Sequence, residues 1–187
     1  MLSNQWSIIA LITVLFLTGC QTTGERLAPS GAEIDREVDT ALSDLYATTP
    51  AARTLAKRAK GILVFPNIVK AGFMFGGQYG RGGALRKRGR TVGYYNSVSA
   101  SYGLQAGIQS FGYALFFMND AALSYLDQTG GWEIGVGPSI VVVDAAIARS
   151  LTTMTAKDNI YAFIFDQKGL MAGLGLQGSK ITRINPD

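Results

Sequence analysis

The chain has 187 residues, 48% of them apolar, with a formal net charge of +4 and no histidine. Without histidine no Ser-His-Asp or Cys-His couple forms, and a single cysteine closes no disulfide within the chain. The apolar content excludes a disordered chain, and the length suits one domain with a core of its own.

Residues 6–17 form a strongly apolar stretch of about a dozen residues. That is shorter than the roughly 20 apolar residues needed to span a bilayer, so it reads as the core of an export signal. It ends in Leu17-Thr18-Gly19-Cys20, which resembles the lipobox of bacterial lipoproteins. Residues 1–5 hold no Lys or Arg, so the terminal amine alone supplies the positive start. The resemblance implies cleavage before Cys20 and acylation there (palmitate among the acyl chains), and two or more chains hold a protein stably on a membrane. Gln21 stands where an Asp would resemble the inner-membrane retention signal. The expected location is therefore the outer membrane, facing the periplasm. The expected organisation is a signal at 1–19, a lipidated tether at 20–32 and a globular body at 33–187.

Charge is unevenly placed. Residues 21–48 carry six acids and two bases, residues 49–90 ten bases and no acid, and residues 91–187 five bases and seven acids. So polarised a chain favours anionic partners. In the acidic part Ser30 and Glu33 form a capping box, and Ile34, Val38, Leu42 and Leu45 recur at helical spacing. Thr49-Pro50 opens a second helix, which Gly61 ends. Ala52, Leu55, Ala56 and Ala59 form its apolar stripe, and Arg53, Lys57 and Lys60 line another face with Arg58 nearby. This helix reads either as an ordinary surface helix with bases near its C-terminal end or as a cationic face for lipid headgroups.

Beyond Gly61 the pattern becomes extended. Residues 62–65 form an apolar run stopped by Pro66, and residues 70–79 alternate loosely. Residues 84–88 and 91–95 read as a hairpin turning at Gly89, with Arg86, Lys87, Arg88 and Arg90 at its tip. Strands are expected at 97–105 and 112–118, then a helix capped by Asn119 or Asp120 and ended by Gly130-Gly131. Further extended segments follow at 132–137, 140–143 and 160–165, a turn at 166–169 and a last strand at 170–184, while 144–158 stays unassigned. Most of the 23 glycines fall inside strands, where glycine marks bulges, bends or close backbone approach. The fold class expected is α+β: N-terminal helices, then a strongly curved, glycine-rich antiparallel sheet, barrel- or sandwich-like, with one inserted helix.

Several catalytic motifs fail on context. Residues 173–178 spell G-x-G-x-x-G, but only nine residues follow, too few for the helix and acid that a dinucleotide site needs. The glycines at 76–83 lack the Gly-Lys-Ser/Thr of a P-loop, and no G-x-S-x-G elbow occurs. Seven scattered acids after residue 90 give no metal-ligand spacing. Nothing singles out a carboxylate pair for glycoside chemistry. The expectation is a protein that is not an enzyme and takes no cofactor or metal. The Arg86-Lys87-Arg88-Gly89-Arg90 run also fits nucleic acid, but an exported protein meets no regular nucleic-acid target; the remaining reading is a solvated turn.

Residues 59–65 (AKGILVF), 69–73 (VKAGF) and 80–82 (GRG) resemble the opening signature of the SYLF domain, also called the Ysc84 or DUF500 family. Residues 107–109, 119–121 and 135–138 continue it, and residues 168–173 (KGLMAG) with 176–179 (LQGS) close it. The resemblance runs over roughly 53–184. It implies lipid binding: eukaryotic relatives bind phosphoinositides through a basic, amphipathic N-terminal part, and a yeast member binds and bundles actin. The residues in the matching place are Arg53, Lys57, Arg58 and Lys60. In the periplasm the available ligands are anionic phospholipids such as phosphatidylglycerol, cardiolipin or phosphatidic acid.

The leading expectation is a lipoprotein that contacts an anionic phospholipid membrane through Arg53, Lys57, Arg58, Lys60, Lys70, Arg86, Lys87, Arg88 and Arg90. The alternative is a structural or protein-interaction role in the envelope, with the acyl anchor as the only membrane contact.

Overall fold

The computed structural model describes residues 28–128, 130–152, 155–169 and 179–187, with backbone alone at 73–75, 101–106, 145 and 150. The stretch expected to be an export signal, Cys20, the expected tether before residue 28 and the 173–178 glycine run lie outside the described residues.

The first helix, α1 (Gly31–Thr48), starts where Ser30 accepts a hydrogen bond from the Glu33 amide. Ile34, Val38, Ala41 and Leu45 form its buried stripe. α2 (Pro50–Ala56) has Pro in its first turn and buries Ala51, Ala52 and Leu55. It stops sooner than the sequence suggests. The amides of Arg58 and Ala59 both reach back to the Leu55 carbonyl, and the Lys60 amide donates to the Phe117 carbonyl at 2.7 Å. Sheet pairing thus captures the chain before Gly61, and Lys57 and Lys60 are not on a helix face.

The next two strands are by far the longest: β1 (Gly61–Lys87) and β2 (Arg90–Phe117), an antiparallel hairpin paired from end to end. The separate short strands expected between 62 and 118 are therefore continuous. Pro66 does not break β1, because it lies in a register shift between Phe65 and Ile68, where a missing N–H costs no ladder bond. The tip is a two-residue loop with φ of 50° at Arg88 and 77° at Gly89, the positive pair of a type I′ turn. Opposite the shift between Phe73 and Phe75, residues 103–105 have no partner, and the hairpin bends at this bulge.

Asn119 caps α3 (Asp120–Leu123), accepting from the Ala122 amide, and a 3₁₀ turn (Ser124–Asp127) follows. Then come β3 (Trp132–Glu133), β4 (Ile140–Val142), α4 (Ala145–Ser150), β5 (Ile160–Gly169) and β6 (Lys180–Ile184). α4 fills part of the unassigned stretch, with the Asp144 carboxylate accepting from the Ala146 and Ile147 amides. The turn expected at 166–169 is a bulge inside β5: Asp166 has φ 50°, and the register with β2 shifts opposite Ser110 and Gly112. β2 holds β1 along one edge. Its other edge is shared by β6 at residues 94–98 and β5 at residues 109–117. β3 adds to β6, and β4 joins β5 in parallel, the exception to an otherwise antiparallel sheet.

Bent near their middles, the long strands curl the sheet into a half-barrel of eight segments, with the short helix inserted. The two ends of β1 thereby become neighbours. A Cβ at Gly83 would lie 2.7 Å from the Val64 carbonyl oxygen and from Phe65, and one at Gly61 would lie 3.1 Å from Leu85. Pleating sends alternate residues to opposite faces. The concave face packs Leu63, Phe65, Leu85, Tyr113 and Leu115 against Leu123, Leu126 and Trp132. The convex face packs Val64, Ala84, Ala114, Phe116 and Phe163 against α1 and α2. Both cores lie within residues 34–181, so a chain beginning at Gln21 keeps every residue of them.

Burial also sets an alkaline limit. The Tyr113 phenol is enclosed and donates to Ser97 Oγ at 2.9 Å. Burial pushes it far above its ordinary 10.0, with the Ser97 bond opposing weakly. Tyr46, Tyr94 and Tyr95 are raised too, with burial the leading cause in each. Above about pH 10 the unfolded chain loses these protons while the folded chain keeps them. Stability is therefore intact below pH 10 and falls as pH rises beyond it. Denaturant midpoints measured from pH 8 to pH 11 should hold and then drop; a flat profile would contradict this burial.

Candidate functional site

The neighbouring ends of β1 create a strongly basic concavity. The hairpin tip lies against the chain between α2 and β1, and the space between them, about 680 Å³, is lined by Lys57, Arg58, Ala59, Lys60, Lys87, Arg88 and Asp120. Five cations from two stretches 27 residues apart thus face one basin. All five are exposed. Lys60 Nζ stands 3.8 Å from Asp120 Oδ2, with both side chains more than half exposed, and such a pair contributes little. Lys57, Arg58, Lys87 and Arg88 form no side-chain hydrogen bond or ion pair among the described residues.

The other basic residues of the expected set lie elsewhere. Arg53 Nη2 donates to the Tyr46 carbonyl at 2.8 Å, satisfying a free acceptor near the end of α1. Arg90 is exposed and pairs with Lys87 in the ladder, outside the basin lining. Arg86 is occupied internally. Its side chain is 11% exposed and bonds Asp39 Oδ1 at 2.7 Å and the Asp35 carbonyl at 3.0 Å, with Asp35 Oδ1 at 3.5 Å. Asp35 also accepts from Thr91 at 2.6 Å and Tyr94 at 3.1 Å. This cluster pins α1 to the hairpin, so Arg86 is a structural base with no free face for a ligand. Lys70 is buried on the concave side opposite Gln109, out of reach of a flat membrane surface.

Sequence reading missed Asp35, Asp39, Thr91, Tyr94 and Asp120. One signal was available: an acidic helix beside an acid-free basic block demands at least one ion pair between them. The exact partners are 47 to 59 residues apart and follow no local pattern.

Residues 98–185 match the family model described as Ysc84, Las17-binding protein actin regulator. No curated protein matches the chain. The matched stretch begins after the hairpin tip, so the five bases of the basin lie before it.

Proposed function

Taking as premise that residues 98–185 belong to the Ysc84 (SYLF) family, we propose that this protein is a non-catalytic, lipid-anchored periplasmic module that holds anionic phospholipid headgroups in the basin of Lys57, Arg58, Lys60, Lys87 and Arg88. The Cys20 lipobox supplies the anchor, and Gln21 after it the outer-membrane address. The observation that carries the reading is the gathering of five cations, four of them unpaired, in one concavity. Like charges so placed repel one another and weaken the fold, a cost that an anionic ligand offsets. The turn supports this too. Position 88 has φ 50°, where Asn or Gly is favoured, yet the residue is Arg.

A basic side chain near an anionic surface contributes about 1 kcal/mol, within a Debye length of about 8–10 Å. Five give an affinity that is useful at low salt and fades as salt rises. The test is cosedimentation of the chain beginning at Gln21, which has no acylation site, with phosphatidylglycerol or phosphatidylcholine vesicles over a salt series. Binding to the anionic vesicles alone, falling at least tenfold between about 0.05 and 0.5 M salt, is expected. The family description names a protein ligand and so favours a second reading, a protein-interaction role. Indifference to both vesicles, with a stable crosslinked envelope partner, would decide for it.

A further inference from the structure

The middle of the hairpin reverses the usual distribution of polarity. In a water-soluble curled sheet, apolar side chains point inward and polar ones outward. Here, around the bend, the inward positions hold Lys70 and Gln109, each 5% exposed, with Gln78 and Ser99 also buried. The outward positions hold Val69, Tyr79, Val98 and Ile108, the last two 51% and 68% exposed. Tyr79 and Val98 are direct cross-strand partners, and Ile108 pairs with Ala71. α1 and α2 cover the convex face only where the strands begin and end. An outward apolar, inward polar alternation is the pattern of strands that face lipid.

From this inversion we infer that the bend of the β1–β2 hairpin is a second membrane contact, seated at the headgroup–acyl boundary of a lipid bilayer. It goes beyond the headgroup reading, because it uses different residues and a different force. Two observations favour lipid over another copy of the chain. Tyr79 presents a ring with a polar end, the chemistry that favours membrane interfaces. Only seven residues separate the proposed anchor at Cys20 from Ala28, a reach of about 25 Å, which holds the body at the membrane. The contact is shallow. β1 has a strand partner on one side only among the described residues, and an unpaired backbone edge is not tolerated within hydrocarbon.

Depth is the discriminating measurement. The chain beginning at Gln21 has no cysteine, so Ile108→Cys carries an environment-sensitive fluorophore at one site, and Thr40→Cys on exposed α1 serves as reference. Phosphatidylglycerol vesicles with a quencher attached to the acyl chains are then added. Quenching several times stronger at 108 than at 40 is expected. Sedimentation with the vesicles but no quenching at 108 would overturn this inference and leave the headgroup site standing. No sedimentation would overturn both. A concentration-dependent blue shift at 108 without vesicles would give the face to a second copy and also overturn it. In a second arm, Val98→Glu with Ile108→Glu alters two outward side chains. The binding that survives high salt should fall by roughly a hundredfold with circular dichroism unchanged; undiminished binding would count against the inference.

Discussion

Reversing Lys57 and Arg88 to glutamate is expected to lower affinity for phosphatidylglycerol vesicles by about a thousandfold at about 0.1 M salt. Each reversal changes the charge by two, so at about 1 kcal/mol per charge the pair removes about 4 kcal/mol. Neither side chain has a partner among the described residues, so the melting temperature should not fall. Arg88→Asn sharpens the test. It places at φ 50° a residue that tolerates the left-handed region, so stability should rise by several tenths of a kcal/mol while binding weakens. Arg86→Ala should do the opposite. It leaves Asp35 and Asp39 without their cation, so it lowers stability by about 2–3 kcal/mol and spares binding by the folded protein. If reversing Lys57 and Arg88 left binding intact, the basin would be the wrong site.

The second large effect concerns the seam where β1 meets itself. Gly83→Ala puts a methyl group 2.7 Å from the Val64 carbonyl oxygen and from the Phe65 ring. Backbone oxygen cannot swing aside as a side chain does, so the two ends of β1 must separate. A cost of about 3 kcal/mol follows, or a melting temperature lower by about 10 °C for a body of this size. Gly83→Val should yield no folded protein. Gly77→Ala is the control: its φ is not positive, and its methyl would meet only the Ser99 carbonyl at 3.4 Å. It should change stability by less than about 0.5 kcal/mol. Calorimetry of the three variants decides the matter, and equal melting temperatures for Gly77→Ala and Gly83→Ala would refute the seam.

Short-range features were readable from the residues alone. Ser30 and Asn119 cap where expected, Ile34, Val38 and Leu45 of the expected α1 stripe are buried while Leu42 is partly so, and the tip turns at Gly89. Those outcomes depend on residues three or four apart, or on one φ angle. The curled α+β class also followed, because repeated glycine within strands has few other uses. What stayed hidden depends on pairing across long separations. Arg86 and Lys87 are adjacent in one basic run, yet Arg86 is consumed by α1 and Lys87 lines the basin. Pleating decides such matters, and the bulges at 65/68, 73/75 and 80/83 reset it in ways no simple count of residues reveals. Lys70 has the same cause: next to the exposed Val69 in the chain, it faces the opposite way.

Because the basin draws its cations from the residues at and just beyond the two ends of one strand, it exists only once that strand has folded back on itself. The ends of β1 are held together by side-chain packing, with no backbone ladder between them among the described residues, and bringing them together costs loop entropy. An anion bridging Lys57 and Arg88 would act as a clasp across that closure. It binds the closed form and not the open one, so it stabilises closure by mass action. A chain still in extended transit carries the same charges but offers them one at a time, with no multivalent grip. Completion of the fold is then the event that switches the basin on.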